Sequence, residues 1–338
     1  MNDDWIIGAP REPLGFLPTP LVPLARLSAD LGGPRIWLKR DDCAGLATGG
    51  NKTRKLEYLL ADARRQGADA VVTFGAAQSN HARQTAAACA AVGLPCHLLL
   101  SRKVPWTHPG YHTSGNVLLD DLLGAEVHLL APDALAGARI ALLRRLEAGG
   151  LLPYVIPVGG SDTVGAMGYA RCALELLEQS REAGFALTDV VHASSSGGTQ
   201  AGLLIGFAGL LADEPARTAP RLLGVDVSEP DPETLPATVL ALANGIATER
   251  GLGISITTDQ VRVARHVGAG YGIPTPEAVE AIRLLGRTEG ILLDPVYSGK
   301  GFAALLERIR RGDFDGVRDV VFIHTGGTVA LAVYDDAF

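Results

Sequence analysis

Short apolar runs recur along the chain, separated by longer stretches whose apolar positions fall on one side of a helical repeat. The runs are RIWLK (Arg35–Lys39), AVVTFG (Ala70–Gly75), CHLLL (Cys96–Leu100), AEVHLL (Ala125–Leu130), LPYVIPV (Leu152–Val158), DVVHAS (Asp189–Ser194), RLLGVDV (Arg221–Val227) and DVVFIHTG (Asp319–Gly326). Several of them are continuously apolar rather than alternating. That pattern means burial on both faces, as in a parallel sheet covered by helices. Between them, stretches such as TRKLEYLLADARRQG (Thr53–Gly67) and EAVEAIRLLGRTEG (Glu277–Gly290) read as helices. The expected fold class is α/β, with two three-layer α/β domains and mainly parallel sheets.

The segment 53–161 holds three or four strand–helix units. It begins just after Gly49-Gly50 and ends at Gly159-Gly160. It is expected to form a small inserted α/β domain, with residues 1–52 and 162–338 forming the larger one. A cleft between two such domains is a usual place for a ligand.

Composition narrows the function classes. With 338 residues and 47% of them hydrophobic, a large core can be buried. The formal charge is −7 and no long basic run occurs, so nucleic acid is not an expected partner. The longest apolar stretches, such as LLIGFAGLLA, fall short of the ~18 residues that span a bilayer, so no membrane association is expected. The first residues lack a charged-then-apolar signal pattern, and the expected location is the cytoplasm. The four cysteines form no C-x-x-C pair, and the eight histidines show no zinc-type spacing. No metal site is expected.

Four segments could carry chemistry. In ATGGNKTRKLEYL, Gly49 and Gly50 precede Asn51 and Lys52, and a helix follows. Arg54 and Lys55 then fall in its first turn, where cations oppose the helix dipole by roughly 0.3–1 kcal/mol each. That placement points to an anion or carboxylates nearby, or merely to a solvated basic helix start. A lysine in an apolar cleft can lose its proton and attack an aldehyde. In TFGAAQSNHARQTAA, Ser79, Asn80 and His81 open a helix, which suits either a carboxylate site or ordinary capping. In DVVHASSSGGTQAGLL, Gly197 and Gly198 let the backbone approach a ligand, and the N–H groups can cradle a phosphate. The loop lacks the Gly-Lys-Ser/Thr ending of a nucleotide P-loop, which favours a single phosphate ester. A similar turn, HTGGTVAL, is either a second ligand-facing loop or a plain turn. In GILLDPVYSGKG, Tyr297 could pack or donate a proton, as could Tyr271 in GAGYGIP.

Taken in order, GGNKTRKLEYL, GAAQSNHARQTAA, SSSGGTQAGL, LDPVYSGKG and FIHTGG resemble the 1-aminocyclopropane-1-carboxylate (ACC) deaminase/D-cysteine desulfhydrase family, of the tryptophan-synthase-β-like, fold-type-II pyridoxal-phosphate enzymes. The resemblance covers nearly the whole chain. It implies pyridoxal 5′-phosphate as cofactor and a homodimer. Lys52 matches the lysine that carries the cofactor, and with Tyr297 and Ser79 it makes up the implied catalytic group. Asn51, Asn80, Ser196, Gly197, Gly198, Thr199 and Thr325 match cofactor-binding positions. Thr325 is placed near the pyridine nitrogen. Ser79, Asn80, His81, Tyr271 and Tyr297 match positions that receive a small amino-acid substrate. The implied reaction is β-elimination from D-cysteine, giving pyruvate, ammonia and hydrogen sulfide. L-cysteate sulfo-lyase, ACC deaminase and a non-catalytic pyridoxal-phosphate-binding protein are the alternatives. A sulfonate would need extra cations, and the segment SRKVPWTHPGYHTSGN offers Arg102, Lys103, His108 and His112 without placing any of them in the cleft. In ACC deaminases glutamate follows the tyrosine of DPVY. Here Ser298 does, and with Thr325 it gives two neutral hydroxyls where a carboxylate would strengthen the electron sink.

Overall fold

A computed structural model describes residues 3–214 and 216–338. Its ten strands are β1 (Leu21–Pro23), β2 (Arg35–Lys39), β3 (Ala70–Ala76), β4 (Cys96–Ser101), β5 (Glu126–Leu130), β6 (Pro153–Ile156), β7 (Asp189–Ser194), β8 (Arg221–Asp226), β9 (Arg262–Arg265) and β10 (Asp319–Ile323). They form two sheets, one in the order β1-β2-β10-β7-β8-β9 and one in the order β5-β4-β3-β6. Every pairing is parallel except that of β1 with β2. The smaller sheet comes from residues 70–156, and the larger sheet from chain on either side of them.

The apolar runs explain this architecture. β4, β7 and β10 are buried at every position, as strands covered by helices on both faces must be. Two strands fall outside the hydrophobic pattern. β1 is only LVP and β9 is RVAR, and both lie at an edge of the larger sheet. Edge strands need less apolar sequence and tolerate proline and charge.

The helix Lys52–Arg65 packs on the helix Thr163–Glu182. Glycine is required at the crossing. A Cβ on Gly168 would lie 2.2 Å from the carbonyl oxygen of Arg54. The basic start of this helix is not solvated, because both Arg54 and Lys55 are fully buried. Arg54 meets the carboxylates that its position called for. Its guanidinium donates to Asp41 at 2.8 and 2.9 Å and to Glu175 at 2.8 and 2.9 Å. Lys39 donates to Glu175 at 2.7 Å, and the Tyr169 hydroxyl to Asp41 at 2.6 Å. This buried ionic cluster ties the first turn of the helix to β2 and to the helix behind it.

Candidate active site

Lys52 is the first residue of its helix, and the loop before it is unusual. Leu46, Ala47 and Thr48 have φ of 48°, 48° and 71°, in the left-handed region that non-glycine residues rarely enter. Each such residue costs of order 1–3 kcal/mol and persists only where its surroundings over-determine it. Here Arg83 does so. Its guanidinium donates to Ala47 O at 2.7 Å, to Gly49 O at 3.1 Å and to the Thr48 hydroxyl. Gly50 N donates to Asp41 O, and Asn51 N to Thr325 O, each at 3.0 Å. The loop thus delivers Lys52 to a fixed place. Among the described residues no hydrogen bond or ion pair engages the Lys52 amine. Burial pushes its pKa down from 10.5 to about 8, which makes a free nucleophilic amine accessible near neutral pH.

The glycine loop after β7 opens the helix Gly198–Leu210, with Gly197 at the N-cap in a left-handed conformation. The Ser196 hydroxyl is 2.7 Å from that of Ser161, and Lys55 donates to Ser161 Oγ at 2.8 Å and to Gly159 O at 3.1 Å. A Cβ added to Gly198 would lie 2.7 Å from Ser161 Oγ and 2.8 Å from Lys55 Nζ. Helix N–H groups, two serine hydroxyls and a buried ammonium therefore converge, which is the chemistry of a phosphate site. Burial pushes the Lys55 pKa well down, with Lys52 adding to the effect. A phosphate seated there would hold the ammonium charged. Lys55 and Ser161 were not nominated for the cradle from the sequence. The available signal for Lys55 was its spacing, since residues three apart on a helix share a face.

Ser79 caps the helix Asn80–Val92, its hydroxyl accepting from Ala82 N at 3.1 Å. The N–H groups of Asn80 and His81 have no intrahelical acceptor at this end, and among the described residues buried Asn80 Oδ1 has no hydrogen-bond partner. The Thr73 hydroxyl donates to Ile156 O at 2.9 Å, so it accepts from His81 Nε2 at 2.8 Å, and His81 carries its proton on Nε2. Burial, helped by Lys52 and Lys55, pushes the His81 pKa well down, so the ring is neutral with Nδ1 unpartnered.

The Tyr297 and Tyr271 hydroxyls are 2.6 Å apart. Burial pushes Tyr271 up to about 12 and Tyr297 well above the ordinary value, so both are protonated. Asp294 accepts from the backbone N–H of Tyr297 at 2.9 Å and fixes the tyrosine at its helix start. Ser298 does not face the same way. Its hydroxyl donates to Asp294 Oδ1 at 2.5 Å and accepts from Asp294 N at 2.8 Å. Of the two neutral hydroxyls only Thr325 lines the cavity. Gly326, in the turn after β10, lines the cavity too.

One cavity of about 520 Å³ gathers these elements. Every nominated residue except Gly198 lines it, and Gly198 forms the crowded floor of the cradle. Lys103 and Glu229 also line it. Elsewhere among the described residues, His97, Glu126 and His128 bring their side-chain N and O atoms within 4.8 Å of one another on β4 and β5, and Arg145 pairs with the same Glu126 carboxylate at 2.6 Å.

Comparison with known proteins decides what this constellation belongs to. The family model for pyridoxal-phosphate dependent enzymes matches residues 13–326. The chain belongs to the pyridoxal-phosphate dependent enzyme family. It is 46% identical over 329 residues to the D-cysteine desulfhydrase of Salmonella typhi, covering 96% of each chain, and equally similar to that of Salmonella paratyphi A. Among solved structures, an ACC deaminase homologue superposes with a TM-score of 0.87 at 34% identity, over 99% of this chain and 97% of the other. Maize serine racemase shares the fold, with a TM-score of 0.68 at 17% identity.

Pyridoxal phosphate fits the residues present. The cradle suits a phosphate, Lys52 offers an amine that would link to the cofactor's aldehyde, and Asn80 Oδ1, without a hydrogen-bond partner among the described residues, lines the same cavity as Thr325. A methyl group at Gly198 should break this fit. Gly198→Ala is expected to weaken cofactor affinity roughly tenfold or more, about 1.4 kcal/mol, in a spectroscopic titration of the apoprotein. An unchanged affinity would move the phosphate elsewhere, for instance against residues 324–327.

Proposed function

We propose that this member of the pyridoxal-phosphate dependent enzyme family is a lyase that eliminates hydrosulfide from D-cysteine, leaving pyruvate and ammonia after hydrolysis. The observation that carries the reading is a Lys52 amine, unpaired among the described residues and brought to about pKa 8, in one cavity with a phosphate cradle and a protonated tyrosine pair. The near-full-length likeness to enzymes named D-cysteine desulfhydrase supports the substrate.

Pyridoxal phosphate, when bound, supplies the electron sink for the pair left on the substrate α-carbon. The residues do the rest. Ser196 to Thr199, with Lys55 and Ser161, hold the phosphate. The helix start at Ser79, Asn80 and His81 receives the substrate carboxylate, and neutral His81 adds no charge to it. Lys52 Nζ takes the α-proton as general base. The Tyr297 hydroxyl, oriented by Tyr271 and Asp294, hands a proton toward the departing sulfur. Thr325 faces the cofactor ring as a neutral hydroxyl. Purified holoprotein given D-cysteine should release pyruvate and sulfide in equal amounts; release of neither would overturn the reading.

ACC is expected to be a poor substrate. Opening its ring offers no ready leaving group and needs a strong sink, which a carboxylate at the pyridine nitrogen would favour. Thr325 supplies only a hydroxyl. The kcat/KM for 2-oxobutanoate release from ACC should lie roughly tenfold or more below that for D-cysteine, and parity would sink the argument.

The proposed setting is the cytoplasm and the proposed assembly a homodimer. Among the described residues no helix is long and apolar enough to cross a membrane. A monomer by sedimentation at working concentration would contradict the dimer.

A further inference from the structure

Lys103 has no part in the roles assigned above, yet it lines the same cavity as Lys52. Its backbone is pinned on both sides. Arg102 N donates to Leu130 O at 2.9 Å, and the carbonyl of Ser101, the last residue of β4, accepts from Ala77 N at 3.0 Å. Val104 is buried against Gly272, where an added Cβ would lie 2.8 Å from its methyl groups. The end of a β-strand in the smaller sheet thus presents Lys103 to the loop after β9, an edge strand of the larger one. There its ammonium stands over the Tyr271 ring, 4.6 Å from the centroid. A cation at that distance is attracted by the ring face. The hydroxyl of the same tyrosine is 2.6 Å from that of Tyr297.

The charges around the cavity give this placement its meaning. The residues lining it that can carry positive charge are Lys52, Lys103 and His81, and Glu229 is the carboxylate among them. Burial takes Lys52 and His81 toward their neutral forms. Among the described residues Lys103 has no ion-pair partner, so its charge is not spent on a carboxylate. Its amine sits beside the tyrosine pair, and in the elimination reading that pair faces the substrate's β-substituent.

We propose that Lys103 is the specificity residue for the β-substituent, stabilising the sulfur anion as the Cβ–S bond breaks. The inference rests on the β-elimination reading. The α-proton goes to Lys52 Nζ, and a double bond forms between Cα and Cβ. The Cβ–S bond breaks with its electron pair on sulfur, giving hydrosulfide. The overall change is D-cysteine plus water to pyruvate, ammonia and hydrogen sulfide. Charge develops on sulfur only as the bond breaks, so a fixed cation there favours the transition state over the bound substrate. The benefit grows with the need of the leaving group: large for hydrosulfide, small for chloride, which departs readily unaided.

A purely structural role makes a different prediction. If Lys103 only latches the Tyr271 loop, its loss slows every substrate alike. The test compares Lys103→Met with the unaltered holoenzyme on D-cysteine and on β-chloro-D-alanine, following pyruvate from both. The expected result is a fall in kcat/KM of roughly tenfold or more for D-cysteine, with a fall under about threefold for the chloro compound. Lys103→Arg, which keeps the cation and still stacks on a tyrosine, should restore most of the D-cysteine activity. Equal losses on both substrates, or no loss on either, would overturn the proposal while leaving the lyase reading intact. Failure of the unaltered holoenzyme on both substrates would overturn the lyase reading, and this inference with it.

Discussion

Lys52→Ala is expected to lower pyruvate release from D-cysteine by roughly 10³-fold or more, since a positioned general base alone contributes about 10²–10⁴-fold and the covalent hold on the cofactor goes with it. The fold should survive. Among the described residues the Lys52 amine makes no hydrogen bond or ion pair, and removing an unpaired amine that burial has desolvated leaves no partner stranded. Thermal unfolding of the apoprotein should therefore change little, which separates lost chemistry from lost structure. Arginine will not substitute, because a guanidinium does not release its proton near neutral pH. The depressed pKa also predicts a pH dependence. Capture of pyridoxal phosphate by the apoprotein requires the free amine, so its rate should climb with pH, pass its midpoint near 8 and flatten above. A rise that continues toward 10.5, the ordinary lysine value, would show an unperturbed amine.

Arg54→Met is expected to cost roughly 3–5 kcal/mol of folding stability, the usual penalty for stranding a buried partner. The guanidinium lies between Asp41 and Glu175, and all three side chains are buried or nearly so. Methionine fills much of the volume but leaves the two carboxylates facing each other. An exposed pair makes the control: Arg64 to Glu12 spans 3.2 Å at the surface, and Arg64→Met should cost less than about 1 kcal/mol. Denaturant midpoints read both. The cluster also sets an acid limit. Burial opposes ionisation of Glu175, but Arg54 and Lys39 outweigh it and hold the carboxyl at about 2 rather than 4.5. A depressed carboxyl contributes stability that is fully present above its unfolded value and is lost as pH falls through its folded one. The Glu175 contribution should therefore fade between about 4.5 and 2, and in Arg54→Met that loss should begin at higher pH. Equal sensitivity of the Arg54 and Arg64 variants would mean that the buried cluster carries no special weight.

The strands that pack on both faces were legible in the sequence, because continuous burial leaves a continuous apolar run. β1 and β9 were not, since an edge strand of three or four residues carries too little apolar sequence to stand out. The same divide runs through the site. Lys52, the Ser196–Thr199 loop and the Ser79–His81 helix start are local features, each marked by a turn and a helix beginning, and their order carried the family resemblance. Lys55, Ser161 and Lys103 gain their meaning from partners far along the chain. Ser161 reaches Ser196 and Lys103 reaches Tyr271 only once the two sheets are folded together. Ser298 shows the converse. Its position beside Tyr297 invites a role at the cofactor ring, but the hydroxyl goes to Asp294. A sequence fixes a residue's neighbours along the chain and leaves its rotamer to packing.

Lys52 and Lys55 are two lysines near one cavity, and only one of them can be the amine that carries the cofactor. Reducing the holoprotein with borohydride fixes the cofactor to the nitrogen that holds it, and peptide mass spectrometry then locates the added mass. The expected result is a single modified site at Lys52, with Lys55 unmodified beneath the phosphate. Modification at Lys55, or at neither lysine, would contradict the assignment on which the mechanism stands.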